Sequence, residues 1–387
     1  MIRGYKIRIY PTREQRDLIW KHIGACRFIW NYMLDLQIKR RESGESHLHR
    51  FDMIKLLTPL KQEDEYVWLK DVSNASLQRT CTTLAADYDS FFKRHTGFPK
   101  FKSRKRSKPS FPARSEKIYF SDGFAQIEKV GMVRFKTDFE LPQDRKGICI
   151  NARISYANGK YMLSFCMECE NQAHIILTDR PMGIDLGIKD LAAVSYGDEQ
   201  IVFHNINKSK RVRTLKRKLR HTQRSISRKY EASRKRTGSY EKTRNIEREE
   251  NKLRKINARL TGIRSNYLHQ TTHALVSMSP YRVTMEDLNV SGMMKNKHLS
   301  KAITEQCFFE FIRQMRYKCE WNGIEFVQAP RFYPSSKTCS CCGWHNGGLK
   351  LSDRTFVCQE CGSVIDRDYN AAINLMKYEA QSTLASA

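Results

Sequence analysis

The sequence predicts an α/β protein in two parts. The first is a β-rich half interrupted by helices, and the second is a strand–helix domain carrying a small cysteine ribbon. Three observations predict this. Apolar residues change from helical to alternating spacing near residue 110. Two Cys-x-x-Cys pairs, Cys339/Cys342 and Cys358/Cys361, stand close together near the C-terminus. Three separated acids, Asp185, Glu286 and Asp368, each fall at a strand end or a helix start.

Composition narrows the partners. Of 387 residues, 69 are Lys or Arg and 41 are Asp or Glu, a net charge of +28. That length allows two to three domains with ample core. A charge this positive on a chain of ordinary complexity points to a polyanion. A merely basic, ribosomal-type protein would not account for the three acids. No apolar run approaches the roughly 18 residues of a membrane span, so no membrane partner is expected. The first residues alternate charge with apolar groups and lack the apolar core of a signal peptide. Eight of the twelve cysteines are scattered, which suits a reducing cytoplasm better than a disulfide framework.

In chain order, residues 4–10 read as a strand stopped by Pro11. Thr12 and Gln15 form a capping box, and apolar positions from Leu18 to Leu36 keep helical spacing to about residue 40. Helices are expected again over 50–58 and 74–94. Gly97 to Arg106 mixes Lys100, Lys102 and Arg104 with Phe98 and Phe101, a composition suited to phosphate contact and base stacking. A solvated basic loop is the alternative. Short alternating strands follow at Lys117–Phe120, Phe124–Ile127, Met132–Phe135, Ile148–Tyr156 and Lys160–Met167, with a hairpin turn at Asn158-Gly159. With the first strand they predict a small β-barrel or sandwich. Cys166 and Cys169 also have x-x spacing, but in a strand they face opposite sides and are read as ordinary strand residues.

The second half opens with a strand bearing Asp185 and a hairpin partner at Leu191–Ser195. Between Asn207 and Arg264, Lys and Arg outnumber Glu 22 to 5, on two helices broken near Thr237-Gly238-Ser239. An apolar stripe from Leu215 to Leu260 keeps the two helices paired. This charge excess makes a nucleic-acid groove the better reading than a solvated face. Next come a strand from Tyr281 ending in Glu286 and Asp287, a helix over Thr304–Asn322 stopped by Gly323, and a strand at Ile324–Gln328.

Each cysteine pair presents two thiolates from one tight turn, and two such turns close a tetrahedron around one Zn²⁺. Gly343 and Gly362 follow the second cysteine of each pair, where the backbone often needs positive φ. Redox dithiols are the alternative. The separated acids suit a two-metal phosphodiester hydrolase, in which carboxylates hold two Mg²⁺ roughly 4 Å apart. Asp190, Asp287 and Asp366 are rivals. Asp287 faces away from Glu286 on its strand, but spacing alone does not choose between Asp366 and Asp368.

These residues carry a resemblance. Lys6-Ile-Arg-Ile-Tyr10-Pro-Thr, Gly24-Ala-Cys-Arg-Phe-Ile-Trp30-Asn31, Gly97-Phe-Pro-Lys-Phe-Lys-Ser103 and Gly183-Ile-Asp-Leu-Gly187 occur in order. Met285-Glu-Asp-Leu-Asn289, Met294-Lys-Asn296, Pro334-Ser-Ser-Lys-Thr-Cys-Ser340 and Asp368-Tyr-Asn-Ala-Ala372 follow them. Over nearly its whole length the chain resembles TnpB, the transposon-encoded RNA-guided nuclease family related to type V CRISPR effectors. The resemblance implies an RNase H-like (RuvC-like) nuclease domain holding the zinc ribbon, preceded by a wedge β-barrel interrupted by a helical recognition domain. The implied plan is residues 1–10 for the first barrel strand, 11–110 helical, and 111–178 for the rest of the barrel. The nuclease takes 179–334 with a basic hairpin at 207–277, the ribbon 335–365, and the last nuclease segment and tail 366–387.

By resemblance, Asp185, Glu286 and Asp368 are the catalytic acids. The implied partners are a guide RNA from the transposon end, a double-stranded DNA target beside a transposon-adjacent motif, and a separate transposase acting on the same element. Gln78 and Arg79 are candidates for reading that motif, and base pairing would read the rest of the target. The expected setting is a prokaryotic cytoplasm, at the nucleoid when on DNA. Other readings are a nuclease-inactive RNA-guided repressor, an unguided RuvC-like nuclease, and a DNA-joining transposase. Retention of all three acids and all four cysteines argues against the repressor. A ribbon between the second and third acids argues against the transposase.

Overall fold

The computed structural model describes residues 2–137, 139, 141, 149–169, 176–350 and 353–379. The chain divides into two compact units, Met1–Glu170 and Asn171–Ala387.

The first unit begins with β1 (Ile2–Tyr10) and α1 (Arg13–Glu42). Thr12 and Gln15 cap each other's backbone N–H groups at the helix start, as the sequence predicts. The expected 50–58 helix is two short pieces, α2 (Arg50–Lys55) and α3 (Leu57–Leu60), and α4 covers Asn74–Arg94. The strands β2 (Ser110–Pro112), β3 (Tyr119–Ser121), β4 (Phe124–Ile127), β5 (Gly131–Lys136), β6 (Ile150–Ala157) and β7 (Lys160–Glu168) join β1 in one antiparallel sheet. Its order is β2-β6-β7-β1-β5-β4-β3.

Among the described residues no ladder joins the edge strands β2 and β3, so the sheet is an open half-barrel rather than a closed barrel or a sandwich. The strand expected from Lys117 starts later, because Ser115–Lys117 form a single 3₁₀ turn. Residue 148, the expected start of β6, lies outside the described residues. One face of the sheet and the helices share a core through Ile7, Ile9, Ile29, Met33, Leu77, Leu84, Phe111 and Leu163.

The second unit is built on a mixed sheet of order β10-β9-β8-β11-β12. Its strands are β8 (Pro181–Leu186), β9 (Asp190–Tyr196), β10 (Glu199–His204), β11 (Arg282–Glu286) and β12 (Glu325–Ala329). The first three form an antiparallel meander, and β11 and β12 run parallel to β8. The strand β10 was not expected. Its apolar run, Ile201-Val202-Phe203, is only three residues long beside the polar Glu199 and Gln200.

Two long helices, α5 (Lys210–Thr237) and α6 (Arg244–Ser277), form the basic hairpin, and Gly238 ends α5 at φ +72°. After β11 come α7 (Val290–Met293), α8 (Ser300–Gln306) and α9 (Phe308–Trp321). The single helix expected over Thr304–Asn322 is therefore split. Cys307 adopts a left-handed conformation, φ +57°, and ends α8 before α9 begins. The ribbon strands β13 (Thr355–Val357) and β14 (Val364–Asp366) lead straight into α10 (Arg367–Lys377).

Side-chain alternation gives this sheet two different faces. Met182, Ile184, Val194, Val283 and Met285 pack with Leu268, Leu275, Phe311 and Met315 of α6 and α9. The opposite face carries small or polar residues: Gly183 pairs with Ser195 and Thr284, and Asp185 pairs with Ala193. Helix α10 lies on that face. A Cβ at Gly183 would overlap the Ala372 carbonyl oxygen and the Met376 backbone nitrogen, so only glycine admits the helix. Ser195 and Arg282 hold its end through Met376, at 3.4 and 3.2 Å.

Candidate functional site

The close approach of α10 to β8 brings the acids together. Met285 pairs with Ile184 across the parallel β8–β11 ladder, so the next residues, Glu286 and Asp185, stand side by side at the strand ends. Asp368 lies in the first turn of α10, on the same side of the sheet. Asp185, Asp190, Asp366 and Asp368 line a cleft of about 160 Å³ with Lys189.

Burial raises the pKa of Asp185 well above the ordinary carboxylate range, and the negative charges of Glu286 and Asp368 raise it further. Burial also raises Glu286, against the opposing effects of the Ser335 hydroxyl and the Arg367 charge. Among the described residues Asp185 accepts no side-chain hydrogen bond. Glu286 accepts one from the Ser335 hydroxyl, and Asp368 has Arg354 at 3.8 Å. A cluster of crowded, under-compensated carboxylates is chemically suited to hard divalent cations.

The rival acids are engaged differently. Asp287 pairs with Arg331 at 2.8 Å. Asp190 accepts from the His204 ring at 2.8 Å. Asp366 is the N-cap of α10, accepting from the Asp368 and Tyr369 N–H groups at 3.0 and 3.2 Å. Asp366 still borders the cleft, so its cap leaves it within reach of the same charges.

The ribbon is closed by its own backbone. The Cys339 N–H donates to Trp344 and the Gly343 N–H to Cys339. In the second turn, the Cys358 N–H donates to Ser363 and the Gly362 N–H to Cys358. Gly343 and Gly362 have φ of +81° and +69°, the conformation expected of them. The Sγ atoms of Cys339, Cys342, Cys358 and Cys361 lie within 4.8 Å of one another. Cys339 and Cys361 are 3.7 Å apart, and Cys342 and Cys358 are 3.5 Å apart. Four sulfurs bonded tetrahedrally to one Zn²⁺ stand about 3.8 Å apart, so the donor set fits that ion. Burial raises the Cys339 thiol pKa, but the N–H groups of Cys342 and Cys341, together with the Cys358 and Cys361 side chains, bring it down to about 7. The fifth cysteine, Cys341, lies outside the cluster.

Several residues that couple ribbon and acids escaped the sequence reading. Asn370 accepts from the Ser340 N–H at 2.9 Å and donates to the Thr338 carbonyl at 2.7 Å. Asn374, one turn on, donates to Ser335 and Thr338, both at 2.7 Å. Both are buried on α10. Their signal was two amides spaced i, i+4 on the helix face where apolar residues belong. Gln306, also buried, donates to the Gly187 carbonyl at 3.0 Å and steadies the turn after Asp185.

In the first unit, the α1 residues Trp30 and Asn31 fix the basic segment. Trp30 donates to the Lys100 carbonyl at 3.1 Å, and Asn31 makes two bonds to the Lys102 backbone at 2.8 and 2.9 Å. The Lys102 ammonium sits over the Trp30 ring, and Arg104 is exposed in a turn. On α4, Gln78 is half-buried, while the Arg79 guanidinium is bonded to Ser115 and Glu116 at 2.9 and 2.8 Å.

Comparison with known proteins identifies the architecture. A family model described as "Probable transposase" matches residues 164–297, and one described as "Cas12f1-like, TNB domain" matches 308–375. A third, described as "Helix-turn-helix domain", matches 1–46, where this chain forms one strand and one long helix. A "Putative RNA-guided DNA endonuclease" of Streptomyces pristinaespiralis is 29% identical over 97% of this chain and 88% of its own length. "Putative RNA-guided DNA endonuclease InsQ" of Escherichia coli K12 is 27% identical over 97% of this chain and 92% of its own.

Among solved structures, the Cas12f1–sgRNA–target DNA complex superposes with a TM-score of 0.56 at 12% identity, covering 97% of this chain and 98% of that one. An α/β protein with a half-barrel sheet, a four-cysteine cluster and this superposition has the fold of the compact Cas12-type effectors. Within that class the family-model matches and the full-length relatives support a TnpB family protein. Among the described residues no helix is long and apolar enough to cross a membrane.

Proposed function

We propose that the protein is an RNA-guided, Mg²⁺-dependent endonuclease that cuts double-stranded DNA beside a transposon-adjacent motif and so supports persistence of its transposon. The observation that carries this reading is the crowding of Asp185 by the charges of Glu286 and Asp368, with Asp185 and Asp368 lining one cleft, while Asp287 and Asp190 are held by basic partners. The names of the full-length relatives supply the guide RNA and the DNA target.

On this reading the second unit is an RNase H-like (RuvC-like) domain, and the first is the wedge with its helical recognition insert. Asp185, Glu286 and Asp368 would hold two Mg²⁺, which supply an activated water and stabilisation of the leaving oxygen when bound. The protein's own part is positional. The Ser335 hydroxyl orients Glu286, Gln306 steadies the turn after Asp185, and Gly183 lets α10 carry Asp368 close to β8. Cys339, Cys342, Cys358 and Cys361 would hold one structural Zn²⁺. Through Asn370 and Asn374 the first knuckle is tied to the helix bearing Asp368. The separate transposase remains the partner credited with mobilising the element.

The test is to purify the protein from cells carrying its native locus and sequence the bound nucleic acid. A single discrete RNA mapping to the transposon end supports the guided nuclease. Heterogeneous RNA removed by high salt would replace it with an unguided nuclease.

A further inference from the structure

A small recess in the first unit gathers three cations and a serine hydroxyl beside Cys26 and Pro112. It lies where α1, α4, β2, β6 and the basic segment meet, and Arg27, Trp30, Lys102, Ser110 and Arg153 line it. Its volume is about 30 Å³. That is room for about two water-sized groups, such as phosphate oxygens at its mouth, and far too small for a base.

Three cations border it, and among the described residues none of them forms an ion pair with a carboxylate. Arg153 donates to the Ser110 hydroxyl at 3.2 Å, leaving that hydroxyl's proton available. Lys102 rests over the Trp30 ring, its backbone fixed by Asn31. The two threonines at the recess, Thr80 and Thr83, already donate to helix carbonyls at 2.8 Å. Burial and, after it, the Arg153 charge lower the Lys102 pKa to about 8, with only partial relief from Asp87 and Cys26. Placing mutually repelling cations in a half-buried recess is unfavourable in the isolated chain. An anion there would relieve the repulsion.

We propose that Lys102, Arg153, Arg27 and Ser110 form a phosphate socket that grips one backbone phosphodiester of a bound nucleic acid. The proposal rests on the reading above only in taking the anion from RNA or DNA. It assigns this socket a positioning role, since phosphate contacts set register and carry no sequence information.

The test uses the full-length protein with Lys102→Gln and Arg153→Gln, titrated with salt against a labelled single-stranded RNA and a labelled DNA duplex. Loss of one phosphate contact lowers the slope of log K against log salt by about 0.7 for the single strand or about 0.9 for the duplex. The probe that loses slope identifies the source, and Lys102→Arg restores it. Both Gln variants, free of nucleic acid, melt at or above the wild-type temperature because a repulsion has been removed. Unchanged slopes on both probes overturn the proposal, as does a lowered melting temperature with unchanged slopes, which would mark a structural role. Binding is read without cleavage, so a chain that cuts no DNA leaves this result interpretable.

Discussion

Asp185 stands at the end of β8 with two other acids nearby and no hydrogen-bond donor of its own among the described residues. Replacing it with Ala should abolish DNA cutting, a loss of at least about 10³-fold, while RNA and target binding persist. Retained cutting would remove Asp185 from the site. Gly183, two residues earlier, is a packing requirement: Gly183→Ala should destabilise the protein by about 1–3 kcal/mol in denaturant unfolding, because helix backbone occupies the added methyl's place. Asn370→Ala strands the Ser340 N–H and the Thr338 carbonyl, costing about 2–4 kcal/mol by the same measurement. The four-cysteine cluster is legible in the sequence because Cys-x-x-Cys spacing is a local signal, and the nearness of Asp185 to Glu286 follows from acids placed at strand ends. Asp366 and Asp368 could not be separated that way, since both precede the helix. Only the capping bonds show that one of them closes the α10 N-terminus. Gln306 was illegible for a different reason: its partners lie more than a hundred residues away in the chain.

At the scale of elements, α1 and the start of α4 are tied by a single imidazole. His22 is buried, with its Nδ1 2.8 Å from the Leu18 carbonyl and its Nε2 accepting from the Ser73 N–H at 3.0 Å. That pairing requires the neutral ring with its proton on Nδ1. Burial lowers its pKa below the ordinary 6.5. The unfolded chain therefore takes up the proton first, so this contribution is fully present above about pH 6.5 and is lost as pH falls through the folded-state value. Melting curves should show the first unit weakening below about pH 6.5, and His22→Gln should flatten that dependence. An identical pH profile for the variant would show that His22 is not its source. The ribbon is a second such element. Cys358→Ser should release zinc, measured by mass spectrometry of the metal, and lower the melting temperature of the second unit. Element type and order were largely legible because α1, α4, α5 and α6 are long and strongly periodic. The breaks were not. A left-handed Cys307 carries no signal in residue type, and closure of a sheet depends on edge strands that the sequence does not pair.

For the whole molecule, the net charge of +28 and the basic helices α5 and α6 imply tight, salt-sensitive binding to any nucleic acid. Charge alone therefore cannot demonstrate guidance; base pairing must. The central claim is tested most directly by offering the purified protein, with its co-purified RNA, a plasmid matching that RNA beside candidate adjacent motifs. With Mg²⁺ the plasmid should be linearised only when the match is present. Chelation, or Asp185→Ala in an otherwise identical complex, should leave it intact. Cutting that ignores the match, or that survives loss of Asp185, would contradict the account.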